Sequence, residues 1–280
     1  DEVVNTLSTM GAENEELKAK LAAAERRARI TEMLAAAERV ETIECAHALE
    51  AQIRELRLIA AHHPPYNRRS RHPERVWWLK LTAEPYPRLS LVRTVSADAA
   101  EASYLGPFSR RRGAEQVAAA IHDAVPLRQC TLRLSPRRVS PACVLAQLHR
   151  CLAPCQHEVT VAEYDQQAAA PVRAAFTDDP GELVQALWAR LQRLSQAQRY
   201  EEAAMLRQRL AALLRACLRQ QRRTSLVRIA QLCAARPAGG GWELAVVRHG
   251  RLAGAGYAPA GAPPRQVLAS VLATAETVTG

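Results

Sequence analysis

The chain has 280 residues, with 38 Lys or Arg against 28 Asp or Glu for a net charge of +10. That length buries a sizeable core and allows more than one domain, and the lack of any apolar run of roughly 18 residues excludes a membrane-spanning helix. The first apolar positions are scattered among charges rather than forming a leader, so a soluble cytoplasmic protein with no membrane partner is expected.

Only Lys18, Lys20 and Lys80 are lysines, so arginine carries nearly all the positive charge. Its planar fork matches phosphate bidentately, which makes nucleic acid the expected partner; the plainer reading is the alanine and arginine bias of a GC-rich genome. The chain starts at Asp1 without methionine and ends on "TAETVTG", and a fragment of a longer protein is the expectation.

In chain order, "AENEELKAKLAAAERRARITEMLAAAERV" has helix-forming composition, with Leu17, Leu21 and Ala24 at helical spacing. A second helix is predicted from Glu44 to His62, with Leu49, Ile53, Leu56 and Ala60 on one stripe and Pro64-Pro65 ending it. "VWWLKL" and "RLSLVRT" read as short strands around the turn "EPYP". "YLGPF" is expected to break the next strand, and "RRRGAEQVAAAIHDAV" to begin a helix.

Beyond the cysteine-rich stretch, Val161 to Phe176 reads as helical and "TDDPGE" as an acidic cap and break. Two amphipathic helices, Glu182 to Gln196 and Tyr200 to Gln221, are joined through Ala197-Gln198-Arg199 as an antiparallel hairpin. Their facing apolar stripes hold Leu187, Leu191 and Leu194 on one side and Ala203, Leu206, Leu210 and Leu213 on the other. "ARPAGGG" looks like a linker, "WELAVVRHGRLAGAGY" a β-hairpin turning at His249-Gly250, and "PPRQVLASVLATAE" a helix. The expected fold class is α+β, helix-rich and multi-domain.

Seven cysteines in a cytosolic-looking chain argue against a disulfide framework. Cys45, Cys217 and Cys233 stand singly, whereas Cys130, Cys143, Cys151 and Cys155 are grouped as C-x12-C-x7-C-x3-C. Four thiolates satisfy one zinc ion or one iron–sulfur cluster. Structural zinc more often uses two close pairs, and here only Cys151 and Cys155 are close, which favours a cluster. Pro154 stops the helical turn between Cys143 and Cys151 so that Cys155 can swing back.

"VPLRQC", then "PACVLAQLHRCLAPC", then "EYDQQ" resembles the cysteine region of the UvrC family of excision-repair nucleases. The resemblance extends from about Ala28 to Arg215: "ALEAQIRELRLIAAHHPPYN" is similar to the end of that family's GIY-YIG nuclease domain, "WLKLTAEPYPRLSLVR" and "YLGPF" to the segment after it, and "YEEAAMLRQRLAAL" to its UVR motif. It implies that the four cysteines hold a [4Fe-4S] cluster, with zinc as the alternative filling. It implies that Glu55 holds a divalent cation, Mg²⁺ or Mn²⁺, for phosphodiester hydrolysis and that Asn67 closes the nuclease domain. It also implies a UvrB-like partner for Tyr200, Ala203, Leu206 and Leu210 of the UVR-like hairpin.

Departures from the family are concentrated upstream. No tyrosine precedes Tyr66 and Gly11 is the only glycine before Gly106, so both name-giving tripeptides are missing. The expected organisation is N-terminal helices with part of a GIY-YIG-like domain at 1–70, a small α+β domain at 71–128, the cysteine segment at 129–178, the UVR-like hairpin at 180–223 and the start of a C-terminal domain at 238–280. Such halves are fused downstream of an exonuclease domain in some bacteria, and this chain is expected to be one. Candidate phosphate contacts are Arg68, Arg69, Arg71, Arg110, Arg111, Arg112, Arg137 and Arg138; Trp77 and Trp78 are expected to pack rather than stack on bases. Two readings follow: a DNA-incising repair nuclease, or a non-catalytic scaffold that binds DNA and recruits a partner.

Overall fold

The structure, a computed structural model, describes residues 25, 27–66, 72, 75–96 and 103–279. Contacts divide the chain into two compact units: Asp1–His72 with Ala235–Leu244 and Ala255–Val271, and Pro73–Ala234 with Ala245–Gly254 and Leu272–Gly280.

In the first unit, residues 27–35 are helical and α1 spans Ala48–His62. The helix starts later than Glu44 because His47 caps it: Nδ1 accepts from Glu50 N–H, while Nε2 donates to the Leu244 carbonyl at 2.9 Å. His63 turns left-handed at φ 45° and closes the helix one residue before the two prolines. The predicted stripe is not a core stripe. Ile59 is the buried residue of this helix, while Leu49 and Leu56 are 45% and 52% exposed.

The second unit is built on an antiparallel sheet of β1 (Trp77–Leu81), β2 (Leu89–Val92) and β3 (Ser103–Phe108) in the order β2-β1-β3. Leu79 and Leu81 point to the core while Trp78 and Lys80 alternate half-buried, the period of two that a one-sided strand requires. "YLGPF" lies inside β3 and does not break it. The register shifts between Trp77 and Leu79, and Gly106 sits opposite at φ +147°, where an added Cβ would come within 3.0 Å of the Trp78 ring. The glycine is thus a bulge residue, one way a strand absorbs an apparent breaker.

Helix α2 (Arg111–Ala124) follows as predicted. After the cysteine stretch and its one-turn helix α3 (Val144–Gln147), Thr160 and Glu163 form a reciprocal capping box for α4 (Val161–Tyr164), which continues through a wide π turn at Asp165–Ala169 into α5 (Ala170–Thr177). The Asp179 carboxylate accepts from Gly181 N–H at 2.7 Å and starts α6 (Gly181–Gln196). Gln198, at φ 57°, turns the chain into α7, Tyr200–Arg228, which runs past the predicted end at Gln221.

The hairpin does not leave its stripes uncovered. Leu183, Leu187, Leu206, Leu210, Leu213 and Cys217 are buried in one core with Leu79, Leu105, Val117, Ile121 and Phe176, and α2 packs against both α6 and α7. The segments 71–128, 129–178 and 180–223, expected as three domains, therefore share that core.

β4 (Leu232–Ala238), β5 (Gly241–Arg248) and β6 (Arg251–Ala258) form a three-stranded sheet in the order β4-β5-β6, followed by α8 (Pro264–Thr274). "ARPAGGG" is a strand end and a turn at Gly239-Gly240, not a linker. The turn at His249-Gly250 is found where predicted, with φ of 47° and 75°.

Because Leu206 is only 3% exposed, Leu206→Ala should lower the unfolding free energy by about 2–5 kcal/mol, read from urea denaturation. A residue reserved for a partner would show almost no change.

Candidate cysteine centre

Behind the cysteines lies a residue that the motif reading passed over. The Arg128 side chain is 0% exposed. Nε donates to the Tyr86 carbonyl at 2.6 Å, and Nη1 donates to the carbonyls of Cys130 and Leu132, both at 2.9 Å, and lies 3.4 Å from Cys130 Sγ. Nη2 is 2.8 Å from Glu84 Oε2, a close ion pair too bent to count as a hydrogen bond. The Arg128 main-chain N–H donates to Tyr164 Oη at 2.9 Å, and that hydroxyl donates to the Pro87 carbonyl at 2.8 Å. Tyr86 and Tyr164 meet edge to face at 5.4 Å.

A guanidinium out of water costs several kcal/mol unless its charge and donors are answered. Here the answers to the guanidinium come from the "EPYP" turn and from the chain just past Arg128, so burying this one charge ties those two together, while Tyr164 of α4 holds the Arg128 main chain. The available signal was the arginine of "VPLRQC", a charge set after an apolar run; in this fold it goes inside.

The cysteine loops are tied across one another. Cys143 precedes α3; His149, Ala153 and His157 take left-handed φ values of 51°, 50° and 57° and turn the chain around Cys151 and Cys155. Ser140 N–H donates to the Cys155 carbonyl at 2.8 Å, and the Gln156 side-chain amide donates to the Ser140 carbonyl. Cys155 is buried, Cys130 and Cys151 are half-buried and Cys143 is exposed. Burial, with smaller contributions from the thiols of Cys130, Cys143 and Cys155, pushes the Cys151 thiol up to about 11. Burial also raises Cys155, again with Cys130 and Cys143 contributing. Among the described residues no three His, Cys, Asp or Glu side chains are arranged to hold a metal ion. Four soft thiol donors on loops bound together through the main chain fit a thiolate-ligated iron or zinc centre in chemistry.

The remaining candidates are dispersed. Glu55 is exposed on α1 and lines a groove of about 400 Å³ with Glu41, Cys45, Arg54 and His62. Asn67, Arg68, Arg69 and Arg71 lie outside the described residues. Arg110, Arg112, Arg137 and Arg138 are exposed; Arg111 pairs with Glu115 at 2.7 Å. The half-buried Trp77 ring lies under Arg93 at 3.9 Å and Arg111 at 5.6 Å, and Trp78 under Arg223 at 5.0 Å. Arg223 also donates to the Gly106 carbonyl at 2.9 Å, so arginines meet both indoles. On the hairpin, Tyr200 is 64% exposed and Ala203 half-buried, while Leu206 and Leu210 are spent on the core.

Residues 76–174 match the model of the UvrC/Cho excinuclease middle domain. Over these residues the chain is of UvrC type. That span holds the three-stranded sheet, α2, Arg128 with its partners and all four grouped cysteines. A Mycobacterium tuberculosis protein, named as a candidate bifunctional exonuclease/endonuclease, is 41% identical over 261 residues, which are 91% of this chain and 39% of that protein. UvrABC system protein C of Nitratidesulfovibrio vulgaris is 35% identical over 189 residues, 67% of this chain and 27% of its own. Its counterpart in Anaeromyxobacter dehalogenans is 35% identical over 173 residues, 61% and 24% respectively. The chain therefore spans well under half the length of these relatives. No solved structure matches.

Tyr164 holds two main-chain groups through one hydroxyl. Tyr164→Phe should cost about 1–3 kcal/mol in denaturant unfolding, because the buried Arg128 N–H and Pro87 carbonyl lose their partner.

Proposed function

We propose that this chain is the UvrC-like part of a DNA-repair nuclease, positioned as in the fusion suggested by the two-activity name of its Mycobacterium tuberculosis relative. Its middle is organised around a centre held by Cys130, Cys143, Cys151 and Cys155, filled by a [4Fe-4S] cluster, with zinc the alternative. The observation that carries this reading is the match over 76–174, which takes in the Arg128 pocket and the four cysteines together. When bound, the group supplies a covalent cross-link among the loops, and the chain's own part is to deliver four sulfurs and a buried positive charge beside Cys130. The exposed arginines Arg110, Arg112, Arg137 and Arg138 hold duplex phosphates without reading sequence. A UvrB-like partner meets the outer side of the hairpin, where Tyr200, Trp188 and Met205 are exposed, 64%, 54% and 52% respectively.

Within the whole protein the reaction is metal-dependent incision of a DNA phosphodiester, with Glu55 as the ligand to Mg²⁺ or Mn²⁺ and Asn67 closing that domain. A second reading has its own support. Glu55 stands exposed in a chain without the two tyrosine-bearing tripeptides, so by itself the chain acts as a DNA-binding, partner-recruiting scaffold.

Purified without oxygen, the chain should be brown and contain about four iron and four sulfide per chain; stoichiometric zinc with no iron would replace the cluster by a zinc site. Nicking of plasmid in Mn²⁺ that Glu55→Ala abolishes would favour the nuclease. Duplex binding with a steep salt slope and no nicking would favour the scaffold.

A further inference from the structure

Asp123, at the end of α2, has a side chain 3% exposed on which three guanidiniums converge. Arg209 Nη1 of α7 lies 2.5 Å from Oδ2, Arg190 Nη1 of α6 lies 3.2 Å from Oδ1, and Arg150 Nη2, next to Cys151, lies 3.5 Å from Oδ1. Arg190 Nη1 also donates to the Asp123 carbonyl at 3.2 Å. A guanidinium has five N–H donors, and these contacts use one nitrogen of each. The other nitrogens stay available.

Beside this hub opens a cavity of about 680 Å³ whose charged lining is Asp123, Arg190, Arg193, Arg199 and Glu202. Arg199 and Glu202 neutralise each other through two bonds of 2.6 and 2.7 Å. Arg193 is exposed, and its guanidinium has no ion pair or hydrogen bond among the described residues. Hub and cavity together set five guanidiniums against two carboxylates. The carboxylate most exposed to an incoming anion, Glu202, is already paired, and Asp123 lies beneath its arginines.

We propose that this cavity is a phosphate-binding site, with Arg190 and Arg193 contacting the ligand and Asp123 positioning Arg190. A phosphodiester turns its two charged non-bridging oxygens out of a tetrahedral centre toward two arginine forks, where a carboxylate's two oxygens lie in one plane with its carbon, and the volume of about 680 Å³ exceeds a single ion. The ligand is a phosphodiester of DNA, which rests on the DNA-binding reading above and places a contact away from the arginine runs evident in the sequence. The charge excess is held by the hairpin, α2 and the chain beside Cys151 together, so this site exists only when those pieces are assembled.

The test uses the full chain, with pyrophosphate as the probe at constant ionic strength in potassium chloride. Pyrophosphate should raise the melting temperature saturably and compete with a short DNA duplex, and Arg193→Gln should weaken both pyrophosphate and duplex by about tenfold. The substitution removes no partner in the fold, so the melting temperature without anion should stay as in the parent. Pyrophosphate binding that needs Arg193 but does not compete with duplex would keep the site, assign it to a free phosphate compound and remove DNA from it. Chloride acting as well as pyrophosphate, an unchanged response in Arg193→Gln, or binding of polyglutamate where pyrophosphate fails would overturn the proposal.

Discussion

A single buried guanidinium sets the conditions for the middle of this chain. Arg128 cannot be withdrawn from water unless acceptors and a counter-charge surround it; the acceptors are the carbonyls of Tyr86, Cys130 and Leu132, the counter-charge is Glu84, and Tyr164 closes the main chain behind it. These residues are far apart in sequence. Apolar burial is not directional, whereas the guanidinium needs the carbonyls of Tyr86, Cys130 and Leu132 within hydrogen-bond reach. Removing one of these partners would leave an uncompensated buried charge, which is strongly destabilising. The same Nη1 that holds the Leu132 carbonyl also holds Cys130 by its carbonyl and lies beside its sulfur.

A second charged hub works from the other side. Asp123 joins α2 to both hairpin helices and to Arg150, the residue before Cys151. Cys130 and Cys151 thus each lie next to a polar anchor, one on the sheet side and one on the hairpin side, while Cys143 stays exposed. The outer loop is thus exposed while its base is fixed by the core, as the proposed metal centre would need. The apolar stripes of α6 and α7 fit the same scheme: they close the core that carries α2, and leave the opposite faces of the helices to solvent or to a partner.

What could be read from the sequence was whatever depended on period and local chemistry. Helix α2, the hairpin with its turn near Gln198, the Asp179 bond to Gly181 N–H ahead of α6 and the His249-Gly250 turn all follow from spacing and from residue types that suit left-handed or turn positions. What could not be read depended on neighbours distant in the chain. Gly106 reads as a breaker until the Trp78 ring beside it shows why a bulge needs a glycine. "ARPAGGG" reads as a linker because pairing to β5 is invisible locally. An amphipathic pattern also does not say what covers it: Leu206 and Leu210 went into the core, whereas Leu49 and Leu56, with an equally regular spacing, remain exposed. For the candidate site, the cysteine spacing was legible and the arginine behind it was not, since an arginine beside a cysteine is ordinarily a surface residue and only tertiary acceptors make it a buried one.

The dependence of the cysteine loops on Arg128 is tested most directly by amide hydrogen exchange of Arg128→Met against the parent chain, a replacement that keeps the bulk and removes the charge. Protection should fall for the amides of the "EPYP" turn and of the loops around Cys130 and Cys155, including the Ser140 N–H bonded to the Cys155 carbonyl, while Leu187 and Leu213 in the hairpin core keep theirs. Unchanged protection at Ser140 and across the turn, or an even loss over the whole second unit, would contradict the view that this guanidinium organises the cysteine region.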